Sequence, residues 1–364
     1  MTRVLWNLFL LWLAAMAAPC GAVDAVDTHL HLDNATPDGR FSTADFERAG
    51  AGLLAEMNRL GVRWAVLLPV PQAAGRSFYY DFEELLPVVR RHPERFVFLG
   101  GGGSLNRLIQ EAVAAGGVDA DLRERFVRRA EAIVAAGAAG FGELTSLHFG
   151  VHHFHANHPY IAAPPDHELF LLLADIAARH GVVIDLHMEL VPEPMALAVP
   201  VFRSPPNPAW LEPNLAAFER LLAHNRDARI VWVHLGWDWL RTRTVARMRE
   251  LLGRHPNLYV SLEAVFPQPA ATRPLDDDGK LRPEWLALIR DFPDRFMLGS
   301  DEFFRPPGQQ KRRRGDLLAP TLSIVVEREE KIRKHVARDY WEVRATFGAQ
   351  AGEYEGKWFD PQWK

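Results

Sequence analysis

The stretch Val23-Asp24-Ala25-Val26-Asp27-Thr28-His29-Leu30-His31 is a short apolar run that ends in two histidines. In a β-strand, residues two apart point to the same face, so His29 and His31 project side by side. Neutral imidazole nitrogens are good ligands for zinc and similar divalent metals. The stretch therefore predicts a strand whose carboxyl end can bind a metal ion.

Short apolar runs of this kind alternate with longer amphipathic segments along the chain. The apolar runs are nearly continuous, as expected of strands buried on both faces, and they are residues 23–29, 63–70, 95–100, 139–144, 182–187, 229–234, 257–263 and 295–301. The amphipathic segments predict helices over residues 44–60, 82–91, 121–136, 166–180, 211–225, 242–254 and 282–291. Eight strands, each followed by a helix or a long loop, predict an α/β fold, a (β/α)8 TIM-type barrel. A doubly wound open sheet is the competing architecture.

Further metal-ligand residue types follow the later strands of this prediction. Glu143 lies on strand 4, His187 on strand 5, His234 on strand 6 and Asp301 on strand 8. In a barrel all carboxyl ends of the strands converge on one mouth, where active sites are found. Together with His29 and His31, these side chains predict a metal site for one or two ions. The alternative for Glu143 is a carboxylate that orients a histidine ligand without binding metal.

The pattern resembles the amidohydrolase superfamily, specifically the amidohydrolase-related (amidohydrolase-2) group. The matching stretches are VDTHLHLD at 26–33, GFGELTS at 140–146, VVIDLHME at 182–189, IVWVHLGW at 230–237 and FMLGSDEF at 296–303. The resemblance implies that His29, His31 and Asp301 hold one ion and that His187 and His234 hold a second. It also implies that Glu143 bridges the two. Many relatives have a carbamylated lysine at the strand 4 position, and the decarboxylating branch binds a single metal.

The chemistry expected of this site is hydrolysis. A bound divalent metal, expected to be zinc, lowers the pKa of a water molecule toward about 7. Asp301 is the predicted base, and His234 is predicted to have a catalytic or substrate-binding role beside metal ligation. The predicted function is metal-dependent cleavage of a C–N or C–O bond at a carbonyl, in an amide, lactone or ester.

Two other functions remain open at this point. The first is a mononuclear decarboxylase or hydratase that acts on an unsaturated or aromatic carboxylic acid, in which His234 handles a proton. The second is an exported metal-binding protein without turnover, which would use the histidines of the loop after strand 4, His152 and His153 among them.

Three long segments follow strands 4, 5 and 8, at residues 145–165, 188–213 and 302–318. Loops at the carboxyl ends of barrel strands determine substrate choice, and these have no recognisable motif. His148 and Glu189 lie at the start of the first two segments. Both are candidates for contacts with substrate or with metal ligands.

Composition and the first residues restrict the setting. The chain has 364 residues with 48% hydrophobic and 24% charged residues, which is ordinary for a globular protein. A net charge of −4 gives no reason to expect nucleic acid as a partner, so a small-molecule substrate is expected. Residues 1–22 combine Arg3 with an apolar stretch and small residues, which predicts a signal peptide for export to the periplasm or medium. Lipoprotein processing at Cys20 is the alternative. Residues 23–364 are predicted to form one domain with a C-terminal helical extension and no membrane-spanning segment.

Overall fold

The structure, a computed structural model, describes residues 25–32, 43–60, 62–73, 80–150, 160–198, 206–262, 272–274 and 282–304. Within these residues, strands and helices alternate in chain order as β1 (Ala25–Leu32), α1 (Thr43–Leu60), β2 (Val62–Leu67), α2 (Phe82–Arg91), β3 (Phe96–Gly101), α3 (Leu105–Ala115), α4 (Ala120–Ala135), β4 (Gly140–His148), β5 (Ile161–Ala162), α5 (Glu168–His180), β6 (Val183–Met188), β7 (Met195–Ala196), β8 (Trp210–Leu211), α6 (Leu215–His224), β9 (Arg229–Leu235), α7 (Val245–Arg254), β10 (Leu258–Leu262), α8 (Pro283–Asp291), β11 (Phe296–Leu298) and β12 (Glu302–Phe304). The predicted signal peptide and C-terminal extension lie outside the described residues.

Ten of the described strands form one mostly parallel sheet in the order β11-β10-β9-β6-β4-β3-β2-β1-β12, with β5 at its side, and β7 and β8 form a separate antiparallel pair. Each neighbour along this path runs parallel to the next, and the short β5 adds antiparallel to β4. The main strands follow one another across the sheet in chain order and most are separated by helices, so the prediction of an α/β fold of the TIM-barrel type is confirmed. The competing doubly wound order, in which the sheet grows in both directions from its middle, is not observed.

The last barrel strand is divided, because β11 pairs with β10 and β12 pairs with β1. Only residues 299–301 separate β11 from β12, so the two ends of the sheet lie next to each other. The Gly299 N–H donates to the Leu262 carbonyl oxygen at 3.1 Å. The Ser300 and Asp301 N–H groups donate to the His29 carbonyl oxygen at 3.1 and 2.8 Å. Single hydrogen bonds, rather than a continuous ladder, therefore join the ends of the sheet at the predicted ligand Asp301.

Alternation along the strands separates two apolar regions. On β9, Ile230 and Trp232 pack with the large cluster that the helices cover, whereas Val231 and Val233 belong to a smaller cluster inside the sheet. On β6 the same alternation of side chains puts Val183 in the smaller cluster inside the sheet. The inward positions of the strands are thus apolar near their amino ends and polar near their carboxyl ends.

Several features differ from the expectation from sequence, among them the short strands β5, β7 and β8, which lie in segments predicted as loops. Helix α3 was not predicted, although Leu105, Ile109 and Ala112 are buried along one face and Gly116 ends the helix in a left-handed conformation. The strand predicted over residues 295–301 stops at Leu298, because residues 299–301 turn between the two edges. Among the described helices, none combines the length and apolarity that a membrane crossing requires.

Candidate metal centre

The six side chains predicted to bind metal meet in one buried cluster at the carboxyl ends of the strands. His29, His31, Glu143, His187 and His234 are each at most 6% exposed. Three overlapping groups place potential ligand atoms within 4.8 Å of one another: His29 with His31 and Glu143, His29 with His234 and Asp301, and Glu143 with His187 and His234. Strands β1, β4, β6 and β9 and the turn before β12 supply these residues.

Glu143 lies at the centre of this cluster. Its Oε1 accepts hydrogen bonds from His187 Nδ1 at 2.8 Å and from His234 Nε2 at 3.1 Å. Its Oε2 faces His31 Nε2 at 3.3 Å and His29 Nε2 at 3.7 Å. One carboxylate therefore separates two pairs of histidines, with one oxygen toward each pair.

Asp301 closes the cluster from the divided strand. Its Oδ1 lies 3.2 Å from His31 Nε2 and 3.6 Å from His29 Nε2, while its Oδ2 lies 3.9 Å from His234 Nδ1. Asp301 and His234 both have positive φ, at 51° and 59°, which is a costly backbone conformation for residues other than glycine. At both residues the backbone turns away from the extended conformation of the strand, and the side chain of the same residue enters the cluster.

The spacing around His29 and His31 fits a metal ion. The Nε2 atoms of both rings are buried and form no hydrogen bond of regular geometry with the described residues. Two ligand atoms bound at about 2.1 Å to one tetrahedral ion lie about 3.4 Å apart. The four distances from these nitrogens to Glu143 Oε2 and Asp301 Oδ1 run from 3.2 to 3.7 Å. Imidazole nitrogen and carboxylate oxygen are also the donor set that zinc and related divalent metals prefer.

The electrostatics of the cluster favour added positive charge. Burial lowers the pKa of His31, but the Asp301 and Glu143 carboxylates, 3.2 and 3.3 Å from its Nε2, raise it to about 9. Burial raises the pKa of Glu143, but the hydrogen bonds from His187 and His234 hold it well below its ordinary range. The same balance, led by the neighbouring His234, lowers the pKa of Asp301. The carboxylates are thus ionised and draw positive charge onto the ring nitrogens, and a divalent cation would supply that charge instead.

Sequence reasoning did not identify the groups that orient His29 and His31. His29 Nδ1 donates to Asp185 Oδ2 at 3.0 Å, and His31 Nδ1 donates to the Leu68 carbonyl oxygen at 2.9 Å. Asp185 had a readable signal, because a carboxylate inside the run VVIDLH lies two residues before His187 and therefore on its face. A backbone carbonyl such as that of Leu68 leaves no signal in a sequence.

A second buried group of charges lies behind His187. Glu189 Oε1 is 3.8 Å from His187 Nε2, and Glu189 Oε2 is 3.9 Å from a guanidinium nitrogen of Arg243. Arg243 is 1% exposed, and its Nε lies 3.9 Å from Asp238 Oδ1. The predicted proximity of Glu189 to a ligand is therefore observed, and Arg243 was missed because its buried position depends on the tertiary packing.

Aromatic rings surround the cluster. Phe303 lies against His31 with ring centroids 4.6 Å apart and is 45% exposed. The ring of His148 meets that of His187 edge-on at 4.8 Å. The remaining histidines of the loop after β4, including His152 and His153, lie outside the described residues.

A profile of the family described as Amidohydrolase matches residues 26–336 of this sequence. The chain belongs to the amidohydrolase family. Membership makes an enzyme with a small-molecule substrate the expected class, and the buried cluster of this amidohydrolase could hold a divalent metal.

Similar solved structures have low sequence identity to this amidohydrolase. The 2,6-dihydroxybenzoate decarboxylase complexed with 2,6-dihydroxybenzoate is 13% identical with a TM-score of 0.40, covering 76% of this chain and 87% of that one. Amidohydrolase 2 from Bifidobacterium longum subsp. infantis is 12% identical with a TM-score of 0.37, covering 88% of this chain and all of that one. A stretch of 45 residues is 42% identical to DNA topoisomerase 1 of Alkalihalophilus pseudofirmus, which is 12% of this chain and 6% of that protein. The family assignment rests on the profile match alone.

Proposed function

We propose that this protein is a metal-dependent hydrolase that cleaves a C–N or C–O bond at a carbonyl, in an amide, lactone or ester. The observation that carries the proposal is the position of Glu143, with one carboxylate oxygen toward His187 and His234 and the other toward His29 and His31. A carboxylate so placed can bridge two divalent ions, and paired ions suit the activation of water for hydrolysis. Zinc is the expected metal because histidine and carboxylate ligands suit it.

The residues of the cluster have separate roles in this proposal. A divalent ion supplies the charge that lowers the pKa of a water molecule and polarises a carbonyl oxygen. Asp301 would accept the proton as this water forms its bond to the carbonyl carbon, since its carboxylate is ionised and faces His31 on one side and His234 on the other. Asp301 then returns the proton to the nitrogen or oxygen that leaves when the old bond breaks. His234, whose Nδ1 lies 3.9 Å from Asp301 Oδ2, is the second group that we propose acts on the substrate.

Elemental analysis of the purified protein, with activity on a panel of amides, lactones and esters, tests the proposal. We expect close to two ions per chain in the wild type. Glu143→Gln should lose at least one ion and the hydrolytic activity, because the amide cannot serve as a charged bridge. Glu219→Gln is the matched control, since Glu219 also accepts from a histidine, His255, at 3.2 Å but lies outside the cluster.

The possible outcomes separate the alternatives. Two ions in the wild type, with loss in Glu143→Gln only, supports the hydrolase. A single ion that survives Glu143→Gln contradicts the bridge and favours the mononuclear decarboxylase or hydratase. If Asp301→Asn keeps its full metal content and a variant without His152 and His153 loses metal, the results favour the metal-binding protein without turnover. A folded protein that takes up no metal overturns the proposal.

We also propose that the protein is exported to the periplasm or the medium. This proposal is supported by residues 1–22, whose charged start, apolar stretch and small-residue end are typical of a signal peptide. Mass spectrometry of the N-terminus of the protein recovered from its producing cells tests it. A mature chain that begins at Val23 is expected, and an intact chain retained in the cytoplasm contradicts export.

A further inference from the structure

The Asp185 carboxylate is buried at the inner face of β6 and contacts His29. It is 3% exposed, and its Oδ2 accepts the hydrogen bond from His29 Nδ1 at 3.0 Å. Its Oδ1 is buried and has no hydrogen-bond partner among the described residues. A buried carboxylate with one oxygen unpaired is costly to a fold, so stability alone does not account for an acidic residue at this position.

The surrounding backbone leaves space for this side chain. A Cβ atom at Gly142 would lie 2.7 Å from the Cβ of Asp185, so a residue with a side chain at position 142 would displace Asp185 from His29. The contact between Asp185 and His29 thus depends on a glycine in the neighbouring strand β4.

The two histidines of β1 are oriented by different groups. The Nδ1 of His31 donates to the neutral Leu68 carbonyl oxygen, whereas the Nδ1 of His29 donates to a carboxylate. Both contacts put the proton on Nδ1 and leave Nε2 directed at Glu143 and Asp301. Only the contact of His29 adds negative charge behind the ring, which increases the electron density that Nε2 can give to a cation.

We propose that Asp185 is a positioning residue that holds His29 in its metal-binding tautomer and strengthens the affinity of the ion bound by His29 and His31. The proposal rests on the metal-dependent function proposed above. It goes beyond that function by ranking the two metal positions. The position next to His29 is the tighter one, because Asp185 is hydrogen-bonded to His29 at 3.0 Å, whereas Glu189 lies 3.8 Å from His187 and is shared with Arg243. Removal of a group that supports a metal-binding histidine typically costs about 10- to 100-fold in metal affinity.

Metal titration of Asp185→Asn and Asp185→Ala tests this inference. Zinc is added to the metal-free proteins in competition with a chromophoric chelator, which reads each affinity without measuring activity. We expect the tighter of the two constants to weaken about 10-fold in Asp185→Asn, which keeps the shape of the side chain, and up to about 100-fold in Asp185→Ala. The weaker constant, belonging to the position near His187 and His234, should change little.

Asp81→Asn is the matched control for the loss of a buried carboxylate. Asp81 is 2% exposed and accepts from the backbone N–H groups of Phe82 and Gly101 at 2.7 Å. We expect this variant to lose thermal stability in the metal-free state while both zinc constants stay at wild-type values. The cobalt(II) spectrum of the reconstituted proteins gives a second signature, since Asp185→Asn should alter the absorption bands and Asp81→Asn should not.

Each result supports or overturns the inference. If the wild type binds two ions and Asp185→Asn binds both as tightly with an unchanged cobalt spectrum, the positioning role is wrong and the proposed function stands. If Asp185→Asn lowers the metal-free melting temperature and leaves both constants unchanged, Asp185 is structural only. If Asp185→Asn does not fold, Asp185→Ser is titrated in its place with the same expected weakening. If the wild type binds no zinc, the proposed function itself fails.

Discussion

Replacement of Arg243 by methionine is expected to lower the free energy of unfolding by about 3–5 kcal/mol, the usual cost of breaking a buried ion pair. The Arg243 side chain donates to the backbone carbonyl oxygens of Val233, at 3.2 Å, and Trp237. Its nitrogens also lie 3.9 Å from carboxylate oxygens of Glu189 and Asp238. Methionine fills a similar volume, so the loss measures charge and hydrogen bonding rather than an empty space.

The loss follows from the two acidic groups that remain. Burial raises the pKa of Asp238, and the charge of Arg243 opposes that rise. Without the guanidinium, Asp238 stays fully buried, and its carboxylate must remain charged without compensation or bind a proton. Glu189 also loses a neighbouring positive charge. Adding Asp238→Asn to Arg243→Met removes one of these charges, so the double variant should recover about 1 kcal/mol or more.

Urea unfolding followed by circular dichroism, with chelator present so that bound metal does not contribute, measures these differences. Arg249→Met is the matched control, because Arg249 forms an ion pair with Asp291 but its side chain is 44% exposed. Exposed pairs contribute about 0–1 kcal/mol. Equal losses in Arg243→Met and Arg249→Met would refute the assignment of a buried charge network behind His187.

Three further predictions concern the metal centre and the divided strand. Asp301→Asn should reduce turnover about 10²- to 10⁴-fold without unfolding the protein, because asparagine tolerates the positive φ at this position; turnover near the wild-type value would exclude Asp301 as the base. Removal of metal should abolish activity and lower the melting temperature, and zinc at about 100 times its dissociation constant should restore about 2.7 kcal/mol of stability; calorimetry with unchanged melting would contradict a bound ion. Gly299→Ala should cost about 1–3 kcal/mol because the added Cβ overlaps Ser261 Oγ and lies 2.8 Å from His29 Cβ, and Ser261→Ala should recover part of that loss in the double variant; a Gly299→Ala protein as stable as the wild type would show that the strand has room there.

The inward position of His29, His31 and His187 could be predicted because it depends on local periodicity, whereas His234 and Asp301 reach the cluster through backbone turns with positive φ. His29 and His31 lie two apart on β1, and His187 lies two residues after Asp185 on β6, so alternation alone puts each pair on one face. The order of the strands followed from alternating apolar and amphipathic runs, and the parallel sheet confirms it. That the cluster binds metal stays a prediction.

Other features were missed for identifiable physical reasons. Helix α3 follows the four glycines at 100–103 and Ser104, and its amphipathic face is only partly apolar because Asn106 is buried on it. Asn106 donates to the Gln72 carbonyl oxygen and accepts from the Thr145 N–H, contacts that join α3 to the segment after β2 and to β4 and that no local pattern indicates. The division of the last strand likewise depends on pairing with two different strands, β10 and β1.

The sequence by itself determined which residue types lie at the carboxyl ends of the strands, because strand periodicity and the run of apolar residues are local properties. Only the tertiary structure decided how those side chains meet. His29 and Asp185 are 156 positions apart, and the carbonyl oxygen that orients His31 belongs to a residue 37 positions away. Distances of 3.2 to 3.7 Å between ring nitrogens and carboxylate oxygens depend on the curvature of the whole sheet and on the left-handed turn at Asp301. The distances and the curvature are set by packing between segments far apart in the sequence, and residue spacing within one segment carries no information about that packing.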